Sequence, residues 1–134
     1  AYGLAGCRIG YAIVPENGSE EYARVNTPFA VGELSCYAAI SALGDEKHLE
    51  ESVETAKWSR QYMEKNLNRN VIKSYANFVL VEVGNATKSF EQLKSKGIIV
   101  RDCTSFGMAE YIRVTCGDRE QTKRVVGEIN GLQE

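Results

Sequence analysis

Long apolar runs are missing from this 134-residue chain. No stretch approaches the ~20 residues needed to cross a bilayer, and no charged segment leads into an apolar one ending at a small-residue cleavage site. A membrane-embedded role is therefore not expected, and a cytoplasmic location is the default. Basic clusters are also scarce. The net charge is −2, with acids and bases interspersed, which gives no support for binding a nucleic-acid backbone. Histidine occurs once, as His48. Any Ser-His or Cys-His mechanism would have to use it, yet its place in the first turn of a charged helix reads as a solvated surface position. The four cysteines (Cys7, Cys36, Cys103 and Cys116) form no C-x-x-C pair and no recognisable metal or disulfide spacing. They read as reduced thiols packed as small hydrophobes. Gly3, Gly6 and Gly10 do not make G-x-G-x-x-G after a strand, so a dinucleotide site is unsupported.

What is present suits a globular fold. Hydrophobic residues make up 43% and charged residues 25%, enough to bury a core. There is no internal repeat. Cys7 to Val14 alternates as a strand, with Ile9, Tyr11 and Ile13 on one face and Arg8 on the other, and the Pro15–Ser19 cluster breaks it. Leu34, Tyr37, Ala38, Ile40 and Ala42 suit a helix over about 33–43 that ends at Gly44. Asp45 can cap the next helix, whose stripe is Leu49, Val53, Ala56, Met63 and Leu67, running to about Asn68.

Further along, the order becomes strand, helix, strand, strand, helix. The strands are expected at Asn77–Val83, Ile98–Cys103 and Tyr111–Cys116, with a turn at Ser105–Glu110. The helices are expected at Ala86–Lys96, stopped by Gly97, and after Asp118, where Gln121 completes a variant capping box. This predicts an α/β sandwich, a three-stranded sheet with helices on one face. Tyr11, Tyr75 and Tyr111 read as core or interface residues.

Two arginines lie on predicted strands, Arg8 and Arg113. A guanidinium presents a planar fork of donors that matches a carboxylate or phosphate. From spacing alone, each also reads as a solvated residue on a wet strand face.

The segment A-Y-G-L-A-G-C-R-I-G-Y at 1–11 resembles the stretch just after the Ser-Lys pair in fold-type I, pyridoxal-phosphate-dependent aminotransferases (class I/II), and in histidinol-phosphate aminotransferases particularly. Four further stretches agree in order and spacing: V-N-T-P-F-A-V at 25–31, S-Y-A-N-F-V-L-V at 74–81, G-I-I-V-R-D-C at 97–103 and Y-I-R-V-T-C-G at 111–117. Cys7 stands where relatives usually have Leu, and T-P-F-A-V-G-E replaces the commoner P-P-F-N-V-N.

The resemblance implies that Arg8 binds the phosphate of pyridoxal phosphate and that Arg113 grips the α-carboxylate of an amino-acid substrate. It puts the Schiff-base lysine immediately before Ala1. No catalytic residue is then expected within the chain, which is expected to be inactive alone, and no metal is called for. It also implies the domain plan: residues 1–30 as the last strand and exit of the large cofactor domain, 31–70 as linking helices, and 71–134 as the carboxy-terminal small domain. The full-length enzyme would be a homodimer of amino-acid biosynthesis, moving an amino group between a histidinol phosphate-like amine and a 2-oxo acid. Within the family, the alternatives are a threonine-phosphate decarboxylase or an aspartate or aromatic aminotransferase. Outside it, a free-standing regulatory module that binds a small molecule would share the strand and helix order.

Overall fold

The computed structural model describes residues 1–133 and divides into two compact units, Ala1–Glu50 and Glu51–Glu134. Among the described residues no helix is long and apolar enough to cross a membrane.

The first unit holds a single 3-10 turn at Ala5–Cys7 and helices α1 (Glu16–Val25) and α2 (Glu33–Leu43). The strand expected at Cys7–Val14 does not form. Arg8 takes a left-handed backbone, φ 52°, at the end of the turn, which breaks the side-to-side alternation a strand requires. No described segment lies beside it to complete a ladder. The Pro15–Ser19 cluster behaves differently from a plain break as well. Pro15 is the N-cap of α1, where its fixed φ suits a helix start, and its carbonyl accepts from Gly18 N at 2.9 Å and Ser19 N at 3.3 Å. Glu20, Glu21, Ala23 and Arg24 then favour continuing the helix. Helix α2 keeps its expected bounds, and Gly44 is its C-cap. Ser35 Oγ donates to the Cys7 carbonyl at 2.7 Å, tying α2 to the glycine-rich turn.

Helix α3 (Glu46–Asn66) begins where expected, with Asp45 Oδ1 accepting from His48 N at 3.0 Å. The remaining elements are β1 (Val71–Ile72), β2 (Phe78–Glu82), α4 (Ala86–Ser95), β3 (Arg101–Asp102), β4 (Tyr111–Thr115) and α5 (Arg119–Asn130). The sheet has four strands, not three, in the order β1-β2-β4-β3, all antiparallel. The strand missed is β1. It has two residues, too few to show an alternation, and becomes a strand only by pairing Val71 with Val81 and Ile72 with Leu80. The expected Ile98–Cys103 strand shrinks to Arg101–Asp102. Gly97, at φ 73°, closes α4, and Ile98 N returns to the Leu93 carbonyl at 2.9 Å, so the chain meets β4 only later.

Side chains sort by register. The β2–β4 pairs Val79–Val114 and Val81–Ile112 lie on the covered face and are buried. They pack in one cluster with Met63 and Leu67 around α3, Leu93 of α4, and Val126 and Ile129 of α5. Each such burial stabilises by roughly 1.5–3 kcal/mol relative to exposure. The ends of α4 and α5 are capped by side chains: Asn85 accepts from Lys88 N at 2.9 Å, and Asp118 and Gln121 form a full capping box at 2.8 and 3.2 Å. One polar pair sits inside this core. Ser59 and Thr122 hydroxyls are 2.8 Å apart, and Thr122 also donates to the Gly117 carbonyl at 3.2 Å.

The opposite face of the sheet carries Phe78, Leu80 and Glu82 of β2 against Thr115, Arg113 and Tyr111 of β4, and no helix covers it within this unit. That uncovered face positions the candidate site.

Candidate anion-binding sites

Arg113 stands in the middle of β4, on the uncovered face, opposite Leu80 on one side and Arg101 on the other. Directly paired residues of antiparallel strands share a face. The two arginines are therefore side by side, and two cations occupy one cross-strand pair. Like charges so placed destabilise a sheet by up to about 1 kcal/mol. The guanidinium carbon of Arg113 lies 5.1 Å from the centre of the Phe78 ring, a cation–π distance. Its Nε is buried and has no hydrogen-bond partner among the described residues. A buried donor left unmatched costs about 1–3 kcal/mol. An anion placed between the two forks would relieve the repulsion between them.

The turn before β2 is tethered by hydrogen bonds to its neighbours. Arg60 donates to the Ala76 carbonyl, Ser74 Oγ donates to the Phe78 carbonyl, and Cys116 N donates to the Asn77 carbonyl at 2.8 Å. Asn77 itself is exposed. Burial pushes the Cys116 thiol above its ordinary value, offset in part by a hydrogen bond with Ser59 and by the Arg60 charge. This makes Cys116 a poor nucleophile. On the helix side of β3, the Asp102 carboxyl is held below its ordinary value. The Thr104 hydroxyl and then the Thr104 backbone N–H contribute most, followed by the Thr87 hydroxyl and, more weakly, the Arg101 charge.

Arg8 lies in the first unit. Its side chain is exposed, and one terminal nitrogen bonds the Ala5 carbonyl of its own turn at 3.1 Å. That bond orients the fork while leaving its other donors outward. A side chain added at Gly3, Gly6 or Gly10 would meet no atom within 4 Å, so the turn is open to a close-approaching anion.

Other sequence-derived candidates fall outside these sites. Tyr11 and Tyr75 are exposed and so lie outside the core of this chain, and Tyr111 is half-buried on the uncovered face. Cys36 is exposed on α2, against the expectation of a packed thiol, whereas Cys103 is buried. Arg101 was missed by sequence reasoning. Its only local signal is its place in a short V-R-D run, and the pairing with Arg113 exists only through strand register.

The sequence also has close relatives. It is 58% identical over 132 residues to a histidinol-phosphate aminotransferase of Haloferax volcanii, covering 98% of this chain and 37% of that protein. It is 49% identical over 134 residues to a histidinol-phosphate aminotransferase of Haloarcula marismortui, covering all of this chain and 37% of the relative. The chain thus spans little more than a third of the length of these relatives. A solved histidinol-phosphate aminotransferase of Sinorhizobium meliloti, in complex with pyridoxal-5'-phosphate, superposes with a TM-score of 0.81 at 25% identity, over 97% of this chain and 38% of that one. Residues 1–129 match the family model for aminotransferase class I and II. The chain belongs to that family.

Proposed function

We propose that these residues form the carboxy-terminal part of a pyridoxal-phosphate-dependent aminotransferase. Its substrates would be a histidinol phosphate-like amine and a 2-oxo acid. The observation that carries the reading is the pair Arg101–Arg113 on an uncovered sheet face, with Arg113 Nε buried and unmatched. In this reading the protein has two anion holders with different tasks.

Arg8 would bind the cofactor's phosphate through the donors its turn leaves outward. Pyridoxal phosphate, when bound, supplies the electron sink that makes the substrate's α-hydrogen removable. Arg113 would fix the substrate. Its fork sits on a strand, and the Phe78 ring beneath it limits its rotation, so a gripped carboxylate is held in one orientation. Arg101 beside it adds a second fork. A phosphate monoester carries about two charges and fits both arginines, whereas the carboxylate of a 2-oxo acid is satisfied by Arg113 alone. One site could then accept both substrates in turn.

The domain plan accords with the same reading: residues 1–30 as the end of the cofactor domain, 31–70 as linkers and 71–134 as the small domain. A cytoplasmic homodimer is the expected form of the full-length enzyme.

The test uses the full-length protein containing this sequence, with Arg113→Gln. Removing a charge-assisted bidentate pair costs on the order of 2 kcal/mol or more, so the KM for the 2-oxo acid should rise at least ~30-fold. An unchanged KM for both the amine and the oxo acid would sink the assignment.

A further inference from the structure

The Arg101–Arg113 pair raises a question of how the outer member stays in place. Arg113 belongs to a central strand and rests on Phe78. Arg101 belongs to a two-residue edge strand and is exposed. Repulsion from Arg113 and the freedom of a long side chain would both drive it into solvent.

It does not stand alone, because its guanidinium carbon lies 5.3 Å from the centre of the Phe106 ring. Phe106 is 60% exposed and belongs to no core. A large aromatic so placed is not explained by packing within this unit. The backbone that carries it is nevertheless closely tied. Phe106 ends the 3-10 turn Thr104–Phe106, and Gly107, at φ 76°, supplies the left-handed residue that closes it. Phe106 N and Met108 N both donate to the Cys103 carbonyl, at 2.9 and 3.2 Å, and Gly107 N donates to Thr104 O at 3.0 Å. Asp102 anchors the turn from the other side of the strand. Its carboxylate accepts from Thr104 N at 2.8 Å and from the Thr87 hydroxyl of α4 at 2.7 Å. Cys103 N donates to the Tyr111 carbonyl at 3.2 Å. The ring is thus fixed to the sheet edge by a chain of bonds that runs through Asp102 to α4.

We infer that Phe106 is a positioning residue that seats the Arg101 guanidinium beside Arg113, so that both forks meet one phosphate monoester. The inference rests on the reading that this pair holds the substrate anion. It adds a source of selectivity. With Arg101 seated, the site favours a dianionic phosphate ester. With Arg101 loose, the site keeps the single fork of Arg113, which is sufficient for a carboxylate.

The experiment uses the full-length, cofactor-loaded protein and four variants: Phe106→Leu, Phe106→Tyr, Arg101→Gln, and the double variant Phe106→Leu with Arg101→Gln. KM and kcat are measured for histidinol phosphate and for 2-oxoglutarate, together with the inhibition constant of inorganic phosphate. Loss of an exposed cation–π contact should raise the KM for histidinol phosphate about fivefold in Phe106→Leu. The phosphate inhibition constant should rise in parallel, with kcat within about twofold and the KM for the oxo acid unchanged. Phe106→Tyr keeps a ring and should restore wild-type values. In the double variant, Phe106→Leu should add nothing to Arg101→Gln, because its effect passes through that arginine.

Additive effects in the double variant overturn the inference, as does a Tyr variant that behaves like Leu. A raised KM in Arg101→Gln with none in Phe106→Leu overturns it too, while leaving the anion pair intact. If Arg101→Gln itself leaves both the KM and the phosphate inhibition constant unchanged, the anion-pair reading fails, and this one with it. Should Phe106→Leu fold poorly, Phe106→Met removes the ring equally and replaces it in every comparison.

Discussion

The two units of this chain are built from similar residues and stabilised very differently. In Glu51–Glu134, residues of three helices and the two central strands meet in one buried cluster. In Ala1–Glu50, neither helix has a buried residue, and Ile13, Phe29 and Leu34 are 94%, 99% and 85% exposed. Helices of ten and eleven residues are marginal in water without a packed face. Within this chain α1 and α2 lack such a face, and only the second unit buries the surface that makes its elements cooperative. The two arginine sites inherit that difference. Arg113 sits on a sheet with a core behind it, whereas the turn of Arg8 is held mainly by its own short-range bonds and by Ser35.

The sharpest way to break this comparison is to remove the same side chain from each unit of the 134-residue chain. Ile112 is fully buried, so Ile112→Ala should lower unfolding free energy by about 2–5 kcal/mol. Ile13→Ala should change it by no more than about 0.5 kcal/mol. Chemical denaturation of both variants measures the contrast, and comparable losses would show that the first unit has a core of its own.

A smaller effect is expected from the polar pair inside the second unit. Ser59→Ala leaves the Thr122 hydroxyl with only its longer bond to Gly117, so a loss of roughly 1–2 kcal/mol should appear in the same assay. No loss would mean that the pair is a bystander to the packing around it.

The smallest effect concerns pH. The folded Asp102 carboxyl titrates below 3.8, so the fold favours its charged form. Its contribution to stability is present above 3.8 and is lost as pH falls from there through the lower folded value. Asp102→Asn should flatten that part of the stability profile slightly, with no change in the slope near neutral pH. Melting temperatures of the two proteins from strongly acidic to mildly acidic pH decide it, and identical profiles would show that the Thr104 and Thr87 bonds do not depend on the charge.

Much of the second unit was legible in the sequence because its signals are local. Asp118 and Gln121 announce α5, Gly97 stops α4, and the alternation of Ile112 and Val114 with Tyr111, Arg113 and Thr115 sets the two faces of β4. The errors arise where structure depends on a neighbour. Val71–Ile72 becomes a strand only because β2 runs beside it, and Ile98–Val100 fails to become one because the bond to Leu93 holds the chain back. Residues 7–14 alternate like a strand but pair with no described segment. For the candidate site, the importance of Arg113 came from family resemblance more than from spacing, and Arg101 was invisible until register placed it opposite. Nothing in the residue type warned that Arg8 would be left-handed, since arginine has no special liking for that region.

That left-handed backbone at Arg8 has an evolutionary side. A non-glycine residue there costs roughly 1 kcal/mol, which glycine would avoid. On the proposed role of Arg8, variants selected only for thermal resistance should drift toward glycine at position 8, and variants selected for growth that depends on the proposed aminotransferase activity should not. Position 8 therefore sets two kinds of fitness against each other, and a deep library sorted both ways would read the conflict directly from allele frequencies.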